Sequence, residues 1–131
     1  MLDLFAGLGG ASQAMRERGW EVIRVELDPR FEPEVVADIT TWRWRGRRPD
    51  LIWASPPCTE YARMAMPWTR AKLPEGFCPD PTLVKAAIRI IRDSRPRYWV
   101  IENVGGAVRY LRPLLGDPTV VGPLRLWGRW P

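Results

Sequence analysis

The chain begins Leu2-Asp3-Leu4-Phe5 and breaks at once into Ala6-Gly7-Leu8-Gly9-Gly10. A short apolar run that ends in glycines reads as a strand entering a tight turn. Residues 11–18 follow as a helical segment, with Gly19 as its C-terminal stop. Glu21-Val22-Ile23-Arg24-Val25-Glu26 then reads as a second strand. Strand, turn, helix and strand make a βαβ unit, and its crossover commits the two strands to run parallel. A parallel sheet must be covered on both faces. The expectation is an α/β fold with a doubly wound, mostly parallel, Rossmann-like sheet.

The remaining segments extend that sheet. Val35-Val36-Ala37 is a third strand, ending at Asp38. Only residues 27–34 precede it, with Pro29 and Pro33 inside, which is too short for a full crossover helix. That connection is expected to shrink to about one turn. Residues 40–50 form a basic loop containing tryptophan, and Leu51-Ile52-Trp53-Ala54 is the fourth strand. Residues 55–79 read as one long proline-rich loop. Asp80 is placed as a helix N-cap with Pro81 at the first helical position. Leu83, Val84, Ala87, Ile88 and Ile91 fall on one helical face. Tyr98-Trp99-Val100-Ile101 is the fifth strand and runs into Glu102-Asn103-Val104. Residues 107–115 suggest another helix, and 123–130 an extended tail or a last strand. With 131 residues, 1–131 is expected to be one domain, an abbreviated version of the fold.

Composition removes several chemistries. The chain has no histidine, so neither a Ser-His-Asp triad nor a Cys-His pair is available. With only Cys58 and Cys78 besides, no metal site is expected. Acid and base work falls to Asp, Glu, Lys, Cys or water. No apolar run has transmembrane length and no basic leader precedes the first strand, so the expected location is cytoplasmic, with no membrane partner. The net charge of +5 suits a polyanionic partner.

In doubly wound sheets ligands bind beyond the carboxyl ends of the strands. The glycine turn, Glu26, Asp38, Ser55 to Cys58, Glu102 and Asn103 all fall at those ends. Gly7, Gly9 and Gly10 let backbone approach a ligand, and Glu26 is placed to accept ribose hydroxyls. The phosphate-binding spacing G-x-G-x-x-G and a Walker lysine are both absent. A ribose-bearing ligand without an essential phosphate fits this pattern, and S-adenosylmethionine is such a ligand. Asp38 either bonds an adenine amino group or merely caps a turn. The prolines of Ala54-Ser55-Pro56-Pro57-Cys58 stiffen the approach to a thiol, either a presented nucleophile or a buried cysteine behind a turn.

Three stretches together carry a family resemblance. Asp3-Leu4-Phe5-Ala6-Gly7-Leu8-Gly9-Gly10 resembles the first motif of the C5-cytosine DNA methyltransferases, Ser55-Pro56-Pro57-Cys58 their Pro-Cys motif, and Glu102-Asn103-Val104 their Glu-Asn-Val motif. Order and spacing match as well. The resemblance implies DNA methylation of the restriction-modification type, with S-adenosylmethionine as cofactor. Asp3 falls inside the first motif and goes with the cofactor group. Phe5, Gly7 and Gly9 would line the cofactor pocket, Glu26 would bind its ribose and Asp38 its adenine. Pro57 would shape the turn around Cys58, which would attack cytosine C6. Glu102 would engage N3 and the exocyclic amine, and Asn103 would hold the catalytic loop.

Some residues depart from the family pattern. Ser55 stands where glycine is more usual and is counted with the cofactor-binding group. Ser-Pro-Pro also occurs in exocyclic-amino methyltransferases, which keeps that chemistry as an alternative. The family's target-recognition region and its last cofactor-closing helix have no counterpart here. A homodimer, a second chain supplying those parts, or a non-catalytic nucleic-acid-binding module are the corresponding expectations. RNA stays open as an acceptor, because a related branch modifies tRNA. Arg125 or Arg129 is a candidate base contact, and Arg63 a candidate helper of Cys58. Trp42-Arg43-Trp44-Arg45-Gly46-Arg47-Arg48 suits base stacking beside positive charge, or else a solvated loop whose tryptophans cover the sheet.

Overall fold

The computed structural model describes residues 1–131. Its strands are β1 (Leu2–Leu4), β2 (Ile23–Glu26), β3 (Val35–Val36), β4 (Leu51–Ala54), β5 (Tyr98–Val104), β6 (Thr119–Val121) and β7 (Leu124–Arg129). Its helices are α1 (Gly10–Glu17), α2 (Thr59–Ala65), α3 (Pro67–Arg70), α4 (Thr82–Ser94) and α5 (Val108–Leu115). All seven strands join one sheet in the order β3-β2-β1-β4-β5-β7-β6. β1 pairs in parallel with β2 on one side and β4 on the other. The chain therefore winds outward to β3, then returns past β1 to wind the other way. The reversal lies between β1 and β4, the position where doubly wound sheets bind ligands.

Side chains alternate between the two faces of the sheet. Leu4, Val25, Ile52, Ala54, Ile101 and Trp127 share one face through the pairings of β1, β2, β4, β5 and β7. Val84, Ala87 and Ile90 of α4 and Leu111 of α5 belong to the same buried cluster. The Trp127 indole N–H is satisfied by the Gly116 carbonyl at 2.9 Å, so its burial leaves no orphan donor. The opposite face carries Asp3, Arg24, Trp53 and Val100 in register. There Ser12 of α1 donates to Asp3 Oδ2 at 2.6 Å. Burial pushes the Asp3 carboxyl above its ordinary value, against the opposing effect of the Ser12 bond. Further along this face, Leu51, Trp53, Tyr98, Val100, Leu126 and Trp130 border an apolar groove of about 410 Å³.

The doubly wound α/β expectation holds. Residues 27–34 shrink as expected to a single 3₁₀ turn, Pro29–Phe31, capped by the Asp28 carboxylate on the Arg30 N–H. α4 begins one residue later than expected, with Pro81 rather than Asp80 at the N-cap, its carbonyl accepting from Lys85 N, while Asp80 just before it accepts from Thr82 N and Oγ1. The final strand of the two alternatives is present as β7, antiparallel to β5 over six residue pairs. Two further readings need correction. Residues 55–79 are not one loop, because they contain α2 and α3. The prolines bound these helices rather than break them: Pro56 and Pro57 precede α2, and Pro67 takes the first position of α3, where its missing N–H costs nothing. β6 went unforeseen because all of its residues are exposed and show no burial alternation.

Glu34 ties the first βαβ unit together. Its carboxylate accepts from Arg24 N at 2.8 Å, from Arg24 Nε at 3.1 Å, and from the Arg16 guanidinium of α1. Partial burial pushes the Glu34 carboxyl up, but these bonds outweigh it and hold the pKa at about 2, below the ordinary 4.5. A carboxyl depressed in the folded state adds stability above its unfolded pKa and loses it as pH falls through the folded one. Glu34→Gln is therefore expected to lower stability at pH 7 by at most about 1 kcal/mol, since the carboxylate is partly exposed. The gap from wild type should close between pH 4.5 and pH 2. Urea denaturation of both proteins at pH 7 and pH 3 checks this.

Candidate active site

The turn after β1 is built from left-handed backbone. Phe5 has φ 61°, Gly7 φ 50° and Gly9 φ 81°. An aromatic residue in that region is uncommon and strained. Hydrogen bonds fix the conformation: Ala6 N–H donates to Val25 O at 3.3 Å, and Gly9 N–H to Ala6 O at 2.8 Å. The Gly7 N–H turns toward β2 and donates to Glu26 Oε2 at 2.9 Å. Leu27 N and Asp28 N donate to Glu26 Oε1 at 2.8 and 3.2 Å. The Glu26 carboxylate is thus held by three backbone donors, one of them from the glycine turn. Of its roughly four acceptor sites, one remains open, on Oε2.

Phe5, Glu26, Asp38, Ser55, Pro57 and Leu83 line one cavity of about 200 Å³. Five of the residues singled out from the sequence therefore meet there. Asp3, Gly7 and Gly9 do not line it: Asp3 lies beneath α1, Gly9 caps that helix, and Gly7 acts from behind through its bond to Glu26. Asp38 Oδ1 accepts from Thr40 Oγ1 at 2.7 Å and from Thr40 N at 2.8 Å, and these bonds hold its carboxyl below the usual range. Its other oxygen is free.

Ser55 and Pro57 lead from the cavity to Cys58. Ser55 N–H donates to Leu4 O at 3.2 Å, which extends the β1–β4 ladder by one step. The Ser55 hydroxyl accepts from Trp53 Nε1 at 2.9 Å and donates to Glu102 Oε2 at 2.9 Å. Asn103, almost wholly buried, donates from Nδ2 to Pro56 O at 3.1 Å and accepts from Val104 N at 2.9 Å. Cys58 is half-buried and free, and its carbonyl accepts the first bond of α2 from Ala62 N. α2 packs on the 3₁₀ turn Gly105–Ala107 that follows β5. Gly106 makes this approach, for a Cβ there would lie 2.6 Å from Tyr61 O and 2.8 Å from Ala65 Cβ.

The accessory candidates separate. Arg125 pairs across from Asn103 at the carboxyl end of β5, near Gly105. Arg129 lies at the opposite end, donating to Pro96 O. Arg63 sits in the last turn of α2. The Trp42–Arg48 loop also belongs to the amino ends, since Arg97 N and Tyr98 N donate to Pro49 O and Asp50 O just after it. Only its first residue stays near the cavity, the Trp42 N–H donating to Asp38 O at 2.9 Å. Both tryptophans pack against the core, with Trp44 Nε1 donating to Arg47 O. Of the two readings of this loop, sheet cover is the one seen.

Comparison with known proteins agrees with this geometry. The family described as C-5 cytosine-specific DNA methylase matches residues 1–111. The chain belongs to that family. It is 28% identical over 115 residues to the "Probable DNA (cytosine-5)-methyltransferase" of Frog virus 3 (isolate Goorha), covering 79% of this chain and 52% of that one. It is 26% identical over 123 residues to the type II methyltransferase M1.HphI of Haemophilus parahaemolyticus, covering 79% of this chain and 32% of the relative. The chain thus spans between a third and a half of the length of these relatives. In fold it resembles the crystal structure titled "putative DNA modification methyltransferase" from an E. coli prophage, with TM-score 0.60 and 19% identity over 97% of this chain and 44% of that one. No helix is long and apolar enough to cross a membrane.

Sequence reasoning missed Trp53 and Gly106. Trp53 was legible in principle, since a two-residue step along a strand puts Trp53 and Ser55 on one face. Gly106 had no signal beyond the Gly-Gly pair itself. Gly106→Ala is expected to displace α2 and cost about 1–3 kcal/mol through overpacking, measurable as a lowered urea midpoint. Gly105→Ala, whose added methyl would sit 3.4 Å from the Arg125 guanidinium, should cost less.

Proposed function

We propose that this chain carries the catalytic half of an S-adenosylmethionine-dependent methylation of cytosine C5 in DNA. One observation supports the reading above others: Ser55 and Pro57 line the cavity that holds Phe5, Glu26 and Asp38, while the same segment runs on to Cys58 and is bonded to Glu102 and Asn103. Cofactor and base would meet on either side of one rigid stretch of chain.

The residues present fit the cofactor. The open acceptor site on Glu26 suits a ribose hydroxyl, the free Asp38 oxygen an adenine amino group, and Phe5 offers a ring to the adenine. When bound, S-adenosylmethionine supplies the methyl group as an electrophile. Cys58, as thiolate, would add to cytosine C6, forming the S–C6 bond and pushing the ring electron pair toward C5 and N3. Glu102 would supply the proton or hydrogen bond that N3 then needs. Once C5 carries the methyl group, loss of its proton to water returns the electrons, and the thiolate leaves. With no histidine in the chain, water is the simplest base. The cytosine must be flipped out of a duplex to reach Cys58, at a cost of a few kcal/mol.

Because the chain spans only part of its relatives' length, we read target recognition as the task of further polypeptide, from a second chain or a second copy. The net charge of +5 favours DNA as partner. The exocyclic-amino alternative has one observation for it, Ser-Pro-Pro itself. The Ser55–Glu102 bond counts against it, since a carboxyl held in place to serve N3 is what C6 addition requires.

The test is trapping on DNA containing 5-fluorocytosine, with S-adenosylmethionine present. Wild type should form a covalent complex that survives denaturation, and Cys58→Ala should form none while binding the cofactor as wild type does. Cofactor binding without an adduct would exclude the C5 route for this chain. DNA binding that falls with salt, without cofactor binding, would favour a binding module.

A further inference from the structure

Glu102 is not free to turn. It follows Ile101, which pairs with Ala54, so continuing the register places Glu102 beside Ser55. Trp53 lies two residues before Ser55 on the same face. The result is a chain of two hydrogen bonds, each 2.9 Å, from Trp53 Nε1 to Ser55 Oγ and on to Glu102 Oε2.

The direction of this chain is decided by tryptophan. An indole nitrogen only donates, so Ser55 Oγ must accept from it with a lone pair. Ser55 keeps a second lone pair, but its one proton meets no acceptor other than Glu102 Oε2, so Oε2 accepts it. Oε2 is thereby kept as an unprotonated acceptor. Any proton that Glu102 gives to a base has to sit on Oε1, the oxygen left unengaged. We infer that Ser55 and Trp53 are positioning residues that fix the rotation of the Glu102 carboxyl and assign its proton to Oε1. The inference rests on the role for Glu102 proposed above, but the network itself does not. Trp53 acts from outside the cofactor cavity, with its ring on the apolar groove of the sheet face. A residue with no contact to either ligand would thus control the acid of the reaction.

The experiment has two arms. In the first, the Trp53 indole N–H resonance is assigned by its loss in Trp53→Phe. It is expected to shift in Glu102→Gln, and to become insensitive to Glu102→Gln once Ser55→Ala is also present. No response to Glu102→Gln overturns the network, whatever the enzyme does. In the second arm, adduct formation on 5-fluorocytosine DNA is expected to slow roughly 10- to 100-fold in Ser55→Ala. Trp53→Phe should slow it less, with unchanged affinity for S-adenosylmethionine. The double variant should be no slower than Ser55→Ala, and Ser55→Thr, which keeps the hydroxyl, should restore most of the rate. Additive effects, or a loss in Ser55→Ala that is wholly one of cofactor affinity, would overturn the positioning role. If wild type forms no adduct at all, the C5 reading fails, and the resonance arm still decides the network.

Discussion

The parallel pairing of β1 between β2 and β4 is the constraint on which the site depends. It sends the carboxyl ends of three strands to one edge and puts the reversal of winding between β1 and β4. The long-range bonds that join the parts of the site cross the seams between these strands and the neighbouring β5. Gly7 reaches Glu26 across β1–β2, Ser55 reaches Leu4 across β1–β4, and Ser55 reaches Glu102 across β4–β5. Sliding any of these strands by one residue would turn its side chains to the other face and undo both the cavity and the core.

Backbone donors fix the carboxylates of the cavity. Glu26 is held by three main-chain N–H groups, and Asp38 by one together with the Thr40 hydroxyl. Main-chain donors are already ordered by the fold, so fixing a carboxylate with them costs little further conformational entropy. The strained φ of Phe5 belongs to the same economy. The turn that brings the Gly7 N–H to Glu26 also sets the Phe5 ring at the cavity wall.

How much was legible in the sequence follows from the range of each signal. The βαβ unit, the shortened link at 27–34 and the strand-end residues were readable because they depend on local glycine, proline and apolar spacing. The helices after Pro57 were not, because a stretch dense in proline reads as loop until one sees that Pro56, Pro57 and Pro67 stand at helix boundaries. The Trp42–Arg48 loop shows a different failure. Its composition speaks of stacking and charge, but only the register of β4 and β5 says which end of the sheet it occupies. The cavity residues were legible, and so was their collection at one edge of the sheet. The bonds that tie them were not, since these depend on pairings between strands far apart in sequence.

The adjacency of Glu102 and Asn103 is itself a consequence of strand geometry. Successive residues of β5 point to opposite faces. Glu102 therefore turns to the side of Asp3, Glu26 and Ser55, where the polar groups collect. Asn103 turns to the side of Ile101 and Trp127, where it is buried and anchors the Pro56 carbonyl from beneath. The two side chains thus leave one strand in opposite directions, one into the core and one to the site. The segment from Ser55 to Cys58 crosses the edge between the two faces. Fixing it needs a bond from each side, which two neighbouring residues on one strand provide together. Exchanging their order would bury a carboxylate in the core, which is costly for the fold, and leave at the site an amide that can hydrogen-bond N3 but has no proton to give it.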